Sequence, residues 1–89
     1  IKMDKNRYTR DPNLIVLYGT QWCPDCFRAR RVLTKNKIEY LDIDIDNDPQ
    51  GESFVKEVNG GNRSVPTIIF PDGAIMVEPS NKELKAKLQ

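Results

Sequence analysis

The sequence contains no histidine. That removes the Ser–His and Cys–His dyads of nucleophilic catalysis, and with them the commonest metal ligand. Cysteine is nearly as scarce: 89 residues hold two, Cys23 and Cys26. A bridge across so short a loop removes little chain entropy, so the pair is not there as a staple. Long apolar runs are missing as well. The longest, Leu14 to Tyr18, falls far short of the roughly 20 residues that span a bilayer. The N-terminal stretch is polar and charged, with no apolar core of a secretory leader. Charge of one sign is also absent. Fourteen basic and 13 acidic side chains leave a net +1, too little to direct the protein at nucleic acid or a membrane surface.

What remains is one small domain. Eighty-nine residues cannot build two cores, and even one needs nearly every apolar side chain well placed. A reducing, cytoplasmic compartment is the expectation for a chain so poor in cysteine. There a close cysteine pair reads as redox-active or metal-binding. Residues 1–12 carry Lys2, Asp4, Lys5, Arg7, Arg10 and Asp11 and little that could pack; a mobile tail is expected, with the domain at 13–89.

Leu14 to Tyr18 is rich in β-formers and uniformly apolar, as in a strand buried on both faces. Pro24 to about Lys35 reads as a helix with proline at its first position. Cys26, Ala29, Val32 and Leu33 share one face, and Arg28, Arg31 and Lys35 look outward. From Ile38 to Asp46 the pattern alternates. Leu41, Ile43 and Ile45 face one side and Asp42, Asp44 and Asp46 the other, which suits a strand near a sheet edge. Pro49 to Val58 is a second helix, stopped by Gly60-Gly61. Val65 to Phe70, the turn Pro71-Asp72-Gly73, and Ala74 to Glu78 make a hairpin. Ser80 and Glu83 form a capping box that opens a last helix, with Leu84 and Leu88 inward. The order is β-α-β-α-β-β-α, an α/β fold. Right-handed connection makes the first two strands parallel.

Cys23 and Cys26 flank Pro24-Asp25 where the first strand turns into the first helix. Thiol–disulfide exchange needs a thiolate. A helix N-terminus supplies unpaired N–H groups and the positive end of a dipole, which stabilise the anion at Cys23. Cys26, one turn further in, shares its face and can reach its sulfur. Cys23 therefore attacks and Cys26 resolves. Asp25 opposes the thiolate by its charge, whereas Arg28 favours it. The structural alternatives are a zinc half-site, which lacks a second pair of ligands, and two inert core thiols. Ser64-Val65-Pro66-Thr67 is the second element. A proline opening a strand offers no N–H, and if its bond is cis the Val65 backbone faces outward, where an extended substrate could pair beside Cys23. An ordinary edge-strand proline is the plainer reading. Trp22, beside the nucleophile, is either a docking platform or a shield for the sulfur.

These segments, Trp22-Cys23-Pro24-Asp25-Cys26, Asn59-Gly60-Gly61-Asn62-Arg63-Ser64-Val65-Pro66-Thr67 and Pro79-Ser80, resemble the glutaredoxin family of the thioredoxin superfamily, and the mycoredoxins most of all. The resemblance runs from about Leu14 to Leu88. It implies a minimal thioredoxin fold: a mixed four-stranded sheet with helices on both faces. It implies a cis peptide at Pro66 and substrate contacts from Trp22, Pro24, Asp25, Arg63, Val65 and Pro66. It further implies a monomer with no bound cofactor, which uses mycothiol or glutathione as cosubstrate and acts on disulfide-bearing proteins. Recharging by a thioredoxin or mycothione reductase belongs to the same picture. Three departures bear on the small thiol. Thr20 stands where glutaredoxins usually carry a basic residue, and Asp25 where they carry an aromatic. Met76-Val77-Glu78-Pro79-Ser80 replaces the Gly-Gly-x-Asp-Asp segment that holds glutathione. Mycothiol, another small thiol or a protein disulfide fits at least as well.

Three other readings share the motif: an electron donor to ribonucleotide reductase, an iron–sulfur dimer bridged through Cys23, and a redox sensor. Pro24 stiffens the site against the dimer. Asp46 to Gly51, with Glu57, imitates a calcium loop but fails at Gln50, so an acidic turn capping the second helix is expected. The Asp42, Asp44, Asp46 stripe and the Arg28, Arg30, Arg31 group both read as solvated faces. For Arg63, an anion contact and an uncommitted surface arginine are the two choices.

Overall fold

The computed structural model describes residues 13–89; the tail expected at 1–12 lies outside them. Its elements run β1 (Ile15–Gly19), α1 (Pro24–Lys35), β2 (Tyr40–Asp44), α2 (Pro49–Val58), β3 (Thr67–Ile69), β4 (Ile75–Val77) and α3 (Asn81–Leu88). The four strands form one sheet in the order β2-β1-β3-β4. β1 pairs parallel with β2, Leu17 opposite Asp42. It pairs antiparallel with β3, Leu17 opposite Ile68, and β3 pairs antiparallel with β4.

β1 sits in the middle of this sheet and every residue in it is buried, which is why its sequence is apolar without alternation. Ile15 and Leu17 point to one face. There they pack with Ala29, Val32 and Leu33 of α1, Ile68 of β3 and Leu84 of α3. Val16 and Tyr18 point to the other, against Phe54 and Val55 of α2 and Ile45, with Leu41 and Ile43 of β2 covering them in part. Helices thus cover both faces. The expected hydrophobic side of β2 is the α2 side, and β2 lies at the edge.

Helix ends follow local chemistry. The Asp48 carboxylate accepts the Gly51 N–H at 2.8 Å and caps α2, so the acidic turn does the capping. Gly60 and Gly61 take positive φ (65° and 101°), and the Gly61 N–H donates to the Lys56 carbonyl at 2.7 Å. Ser80 and Glu83 make the reciprocal capping box that opens α3. β3 is shorter than its apolar run. Pro66 has no N–H to give a ladder, and Phe70 already belongs to the turn, its N–H bonded to the Ala74 carbonyl at 2.9 Å.

Candidate active site

The site forms where β1 leaves the sheet for α1. Cys23 is the N-cap of α1 and Pro24 its first residue. The Cys23 sulfur takes the place an aspartate or serine oxygen takes in most caps: it accepts the Cys26 N–H at 3.3 Å. That bond and the helix dipole both favour negative charge on the sulfur. On its other side the Cys23 thiol points at the Val65 carbonyl, 3.9 Å away. The Val65–Pro66 peptide is cis. Thr67, next in the chain, donates its hydroxyl to the Ser64 carbonyl at 2.8 Å and accepts from the Asn59 amide at 3.3 Å, which fixes this loop against the end of α2.

The two cysteines are free thiols in different settings. Cys23 is 8% exposed and Cys26 not at all. Burial pushes the Cys26 thiol up to about 12, helped by its hydrogen bond to Cys23; the Thr20 backbone and the Arg30 charge oppose the rise. At neutral pH Cys26 is therefore a protonated reserve behind Cys23. Gly19 is what lets it sit there. A Cβ at Gly19 would lie 2.8 Å from the Cys26 sulfur.

Around the sulfurs, Trp22 is 68% exposed and donates its indole N–H to Asp46 at 3.0 Å. Arg63 donates to the same Asp46 at 2.6 Å and to Glu52 at 2.6 Å. One chain of bonds so joins the β1–α1 turn, the β2–α2 turn, α2 and the loop before Val65. Asp46 stays ionised well below the usual carboxylate range, held first by Trp22 and then by Arg63. Pro24 is exposed, and Asp25 pairs with Arg28 one turn on.

One helper of the site was expected only as part of a solvated face. Arg30 is not on a solvated face. It donates to Asp42 at 3.0 Å and to the Thr20 carbonyl at 3.0 Å. Phe27 is 61% exposed beside the motif. The aspartate stripe is likewise not merely solvated: Asp42 holds Arg30, Asp44 caps its own turn through the Asp46 N–H, and Asp46 holds Trp22 and Arg63. Arg63 is not uncommitted: it bridges Asp46 and Glu52. Asp25 and Arg28, expected to act on Cys23 with opposite sign, pair with each other. Among the described residues no group of three or more Cys, Asp or Glu side chains is placed to hold a metal ion.

A family model described as Glutaredoxin matches residues 15–75, the stretch from β1 through the start of β4. The chain belongs to the glutaredoxin family. It is 46% identical over 74 residues to the Mycobacterium tuberculosis protein named "Putative glutaredoxin Rv3198A", covering 83% of this chain and 88% of that one. It is 39% identical over 75 residues to Mycoredoxin 1 of Corynebacterium glutamicum, covering 84% and 92%. Among solved structures, the glutaredoxin of Archaeoglobus fulgidus superposes with a TM-score of 0.72 at 20% identity, over 99% of this chain and 97% of that one. The thioredoxin-like protein BC3987 gives 0.70 at 22%, over 81% and 96%. These structural likenesses establish the thioredoxin-like fold of this glutaredoxin. No helix among the described residues is long and apolar enough to cross a membrane.

Proposed function

We propose that this glutaredoxin catalyses thiol–disulfide exchange through Cys23, with Cys26 as the resolving thiol. The observation that carries the reading is the N-cap sulfur. Cys23 is the less deeply buried of the two thiols, and it accepts a helix N-terminal N–H that favours its anion. In the first step the Cys23 thiolate attacks one sulfur of a disulfide. A Cys23–S bond forms, the substrate S–S bond breaks, and the displaced thiolate takes up a proton. Two routes complete the cycle. A small thiol attacks the mixed disulfide, or Cys26 gives up its proton to solvent and closes on Cys23, expelling the second thiolate. Substrate is expected to meet Val65, whose carbonyl lies 3.9 Å from the Cys23 sulfur, and the exposed Trp22 and Pro24 beside it; Pro66 is wholly buried and acts through the cis bond that holds Val65 in place.

The small thiol is read from Arg63. Its guanidinium is held by Asp46 and Glu52, so a glutathione carboxylate arriving there meets two carboxylates before it meets a free cation. The likeness to Mycoredoxin 1 supports mycothiol, a neutral sugar thiol, as cosubstrate. The test is turnover of one reduced test protein capped with either thiol. Faster release of mycothiol is expected. Faster release of glutathione overturns the thiol assignment, and release of neither, with reduction of a protein disulfide instead, overturns the mixed-disulfide reading.

A further inference from the structure

Arg30 sits four residues after Cys26 on α1, on the edge of the helix that faces β2 and the active-site turn. Its side chain is only 19% exposed, unusually little for a cation on a surface helix. Two hydrogen bonds fix it: Nε to the Asp42 carboxylate of β2 and Nη2 to the Thr20 carbonyl, both at 3.0 Å. Gly19 shows where that places the charge. The point where a Gly19 Cβ would stand is 2.8 Å from the Cys26 sulfur and 3.3 Å from Arg30 Nη2. No more than about 6 Å can separate the guanidinium and the sulfur, across a residue with no side chain.

We infer that Arg30 is a positioning residue for the resolving half-reaction, holding a fixed positive charge behind Cys26 and so setting how readily that buried sulfur carries negative charge. This rests on the exchange reading of Cys23 and Cys26. When Cys26 resolves a mixed disulfide, its S–H gives a proton to solvent. The Cys26 sulfur then bonds to Cys23, and the Cys23–substrate bond breaks with the electron pair leaving on the substrate thiolate. In the reverse direction a thiol attacking Cys23 expels Cys26 as a thiolate. Both directions put charge on the same sulfur in a water-poor place, where a fixed counter-charge acts most strongly. The groups bearing on that sulfur are the Cys23 thiol, the Thr20 backbone and Arg30. Asp42 of β2 reaches it only by tempering Arg30.

The test uses a symmetrical nitrophenyl disulfide that releases a coloured thiolate. One equivalent is released when Cys23 attacks, and a second when Cys26 closes on the resulting mixed disulfide. In Arg30→Met the second release is expected to slow about tenfold near pH 8 and its pH midpoint to rise by about one unit, while the first release stays within about twofold. Arg30→Lys should restore part of the loss. Arg31→Met, on the outward side of the same helix, should leave both releases unchanged. Asp42→Asn keeps an acceptor for Nε and removes the opposing charge, so its second release should be faster than wild type. A second release in Arg30→Met with wild-type rate and midpoint overturns the inference and leaves the exchange reading intact. Equal slowing of both releases, or a slower second release in Asp42→Asn, overturns it too. Colour released by Cys23→Ser as fast as by wild type overturns the exchange reading itself.

Discussion

Replacing Gly19 with alanine should separate the two consequences of adding one methyl group. Alanine restricts the unfolded chain, which alone stabilises a protein by about 0.4–1 kcal/mol. Against this stands the space at Gly19. The new Cβ would lie 2.8 Å from the Cys26 sulfur, 3.1 Å from Leu17 Cδ2 and 3.3 Å from Arg30 Nη2. None of the three can yield easily. Cys26 and Leu17 are wholly buried, and Arg30 is tied at both ends. Overpacking of this kind costs about 1–3 kcal/mol, so the steric cost should win. Net destabilisation of about 1–2 kcal/mol is expected, lowering Tm by about 4–8 °C for each kcal/mol in a domain of this size. Urea unfolding under reducing conditions measures it, with wild type, Gly19→Ala, Cys26→Ala and the double variant. Removing the Cys26 sulfur opens the space, so the double variant should be more stable than the sum of the singles by about 1 kcal/mol. A Gly19→Ala protein as stable as wild type, or a double variant additive within about 0.5 kcal/mol, would refute the reasoning.

The contrast between the thiols should appear in alkylation: at about pH 8 iodoacetamide should modify only Cys23 in the native protein, and both thiols once it is unfolded. Cys26 also makes stability depend on alkaline pH. Its folded value, about 12, lies above that of an ordinary thiol, so the unfolded chain loses this proton first as pH rises; wild type should lose stability relative to Cys26→Ala through that window. Asp46 works in the opposite sense. Its carboxyl is held low by Trp22 and Arg63, so its contribution is present above the ordinary carboxylate range and is lost as pH falls through it, and Asp46→Asn should flatten that acid limb in urea titrations. Ser80→Ala removes the hydroxyl that accepts the Glu83 N–H and leaves the Ser80 N–H on the Glu83 carboxylate; it should cost about 1 kcal/mol in the same unfolding assay.

What could be read from the sequence was what local spacing decides. Proline at the first position and the run Cys26, Ala29, Val32, Leu33 set the limits and the buried face of α1, because a helix reports its own period. The capping box and the Gly60-Gly61 stop were visible for the same reason. The cysteine pair was legible because both thiols lie within one turn. Arg30 was not. In sequence it is one of three arginines in four positions, and only the sheet brings Asp42, 12 residues away, and the Thr20 carbonyl, 10 away, to it. Trp22 and Arg63 converge on Asp46 from 24 and 17 residues away. Such contacts depend on how β2 lies beside β1, a register no local pattern prints. Strand ends differ from the expected ones by one or two residues, since apolar runs continue past the last ladder bond into turns.

The most direct measurement is to locate the covalent intermediate. Cys26→Ser is mixed with a disulfide-bearing protein and the adduct is mapped by peptide mass spectrometry. A stable mixed disulfide on Cys23 is expected, with no comparable adduct in Cys23→Ser. An adduct forming on Cys26 of Cys23→Ser at a similar rate, or no adduct in either variant, would contradict the assignment of Cys23 as the attacking thiol.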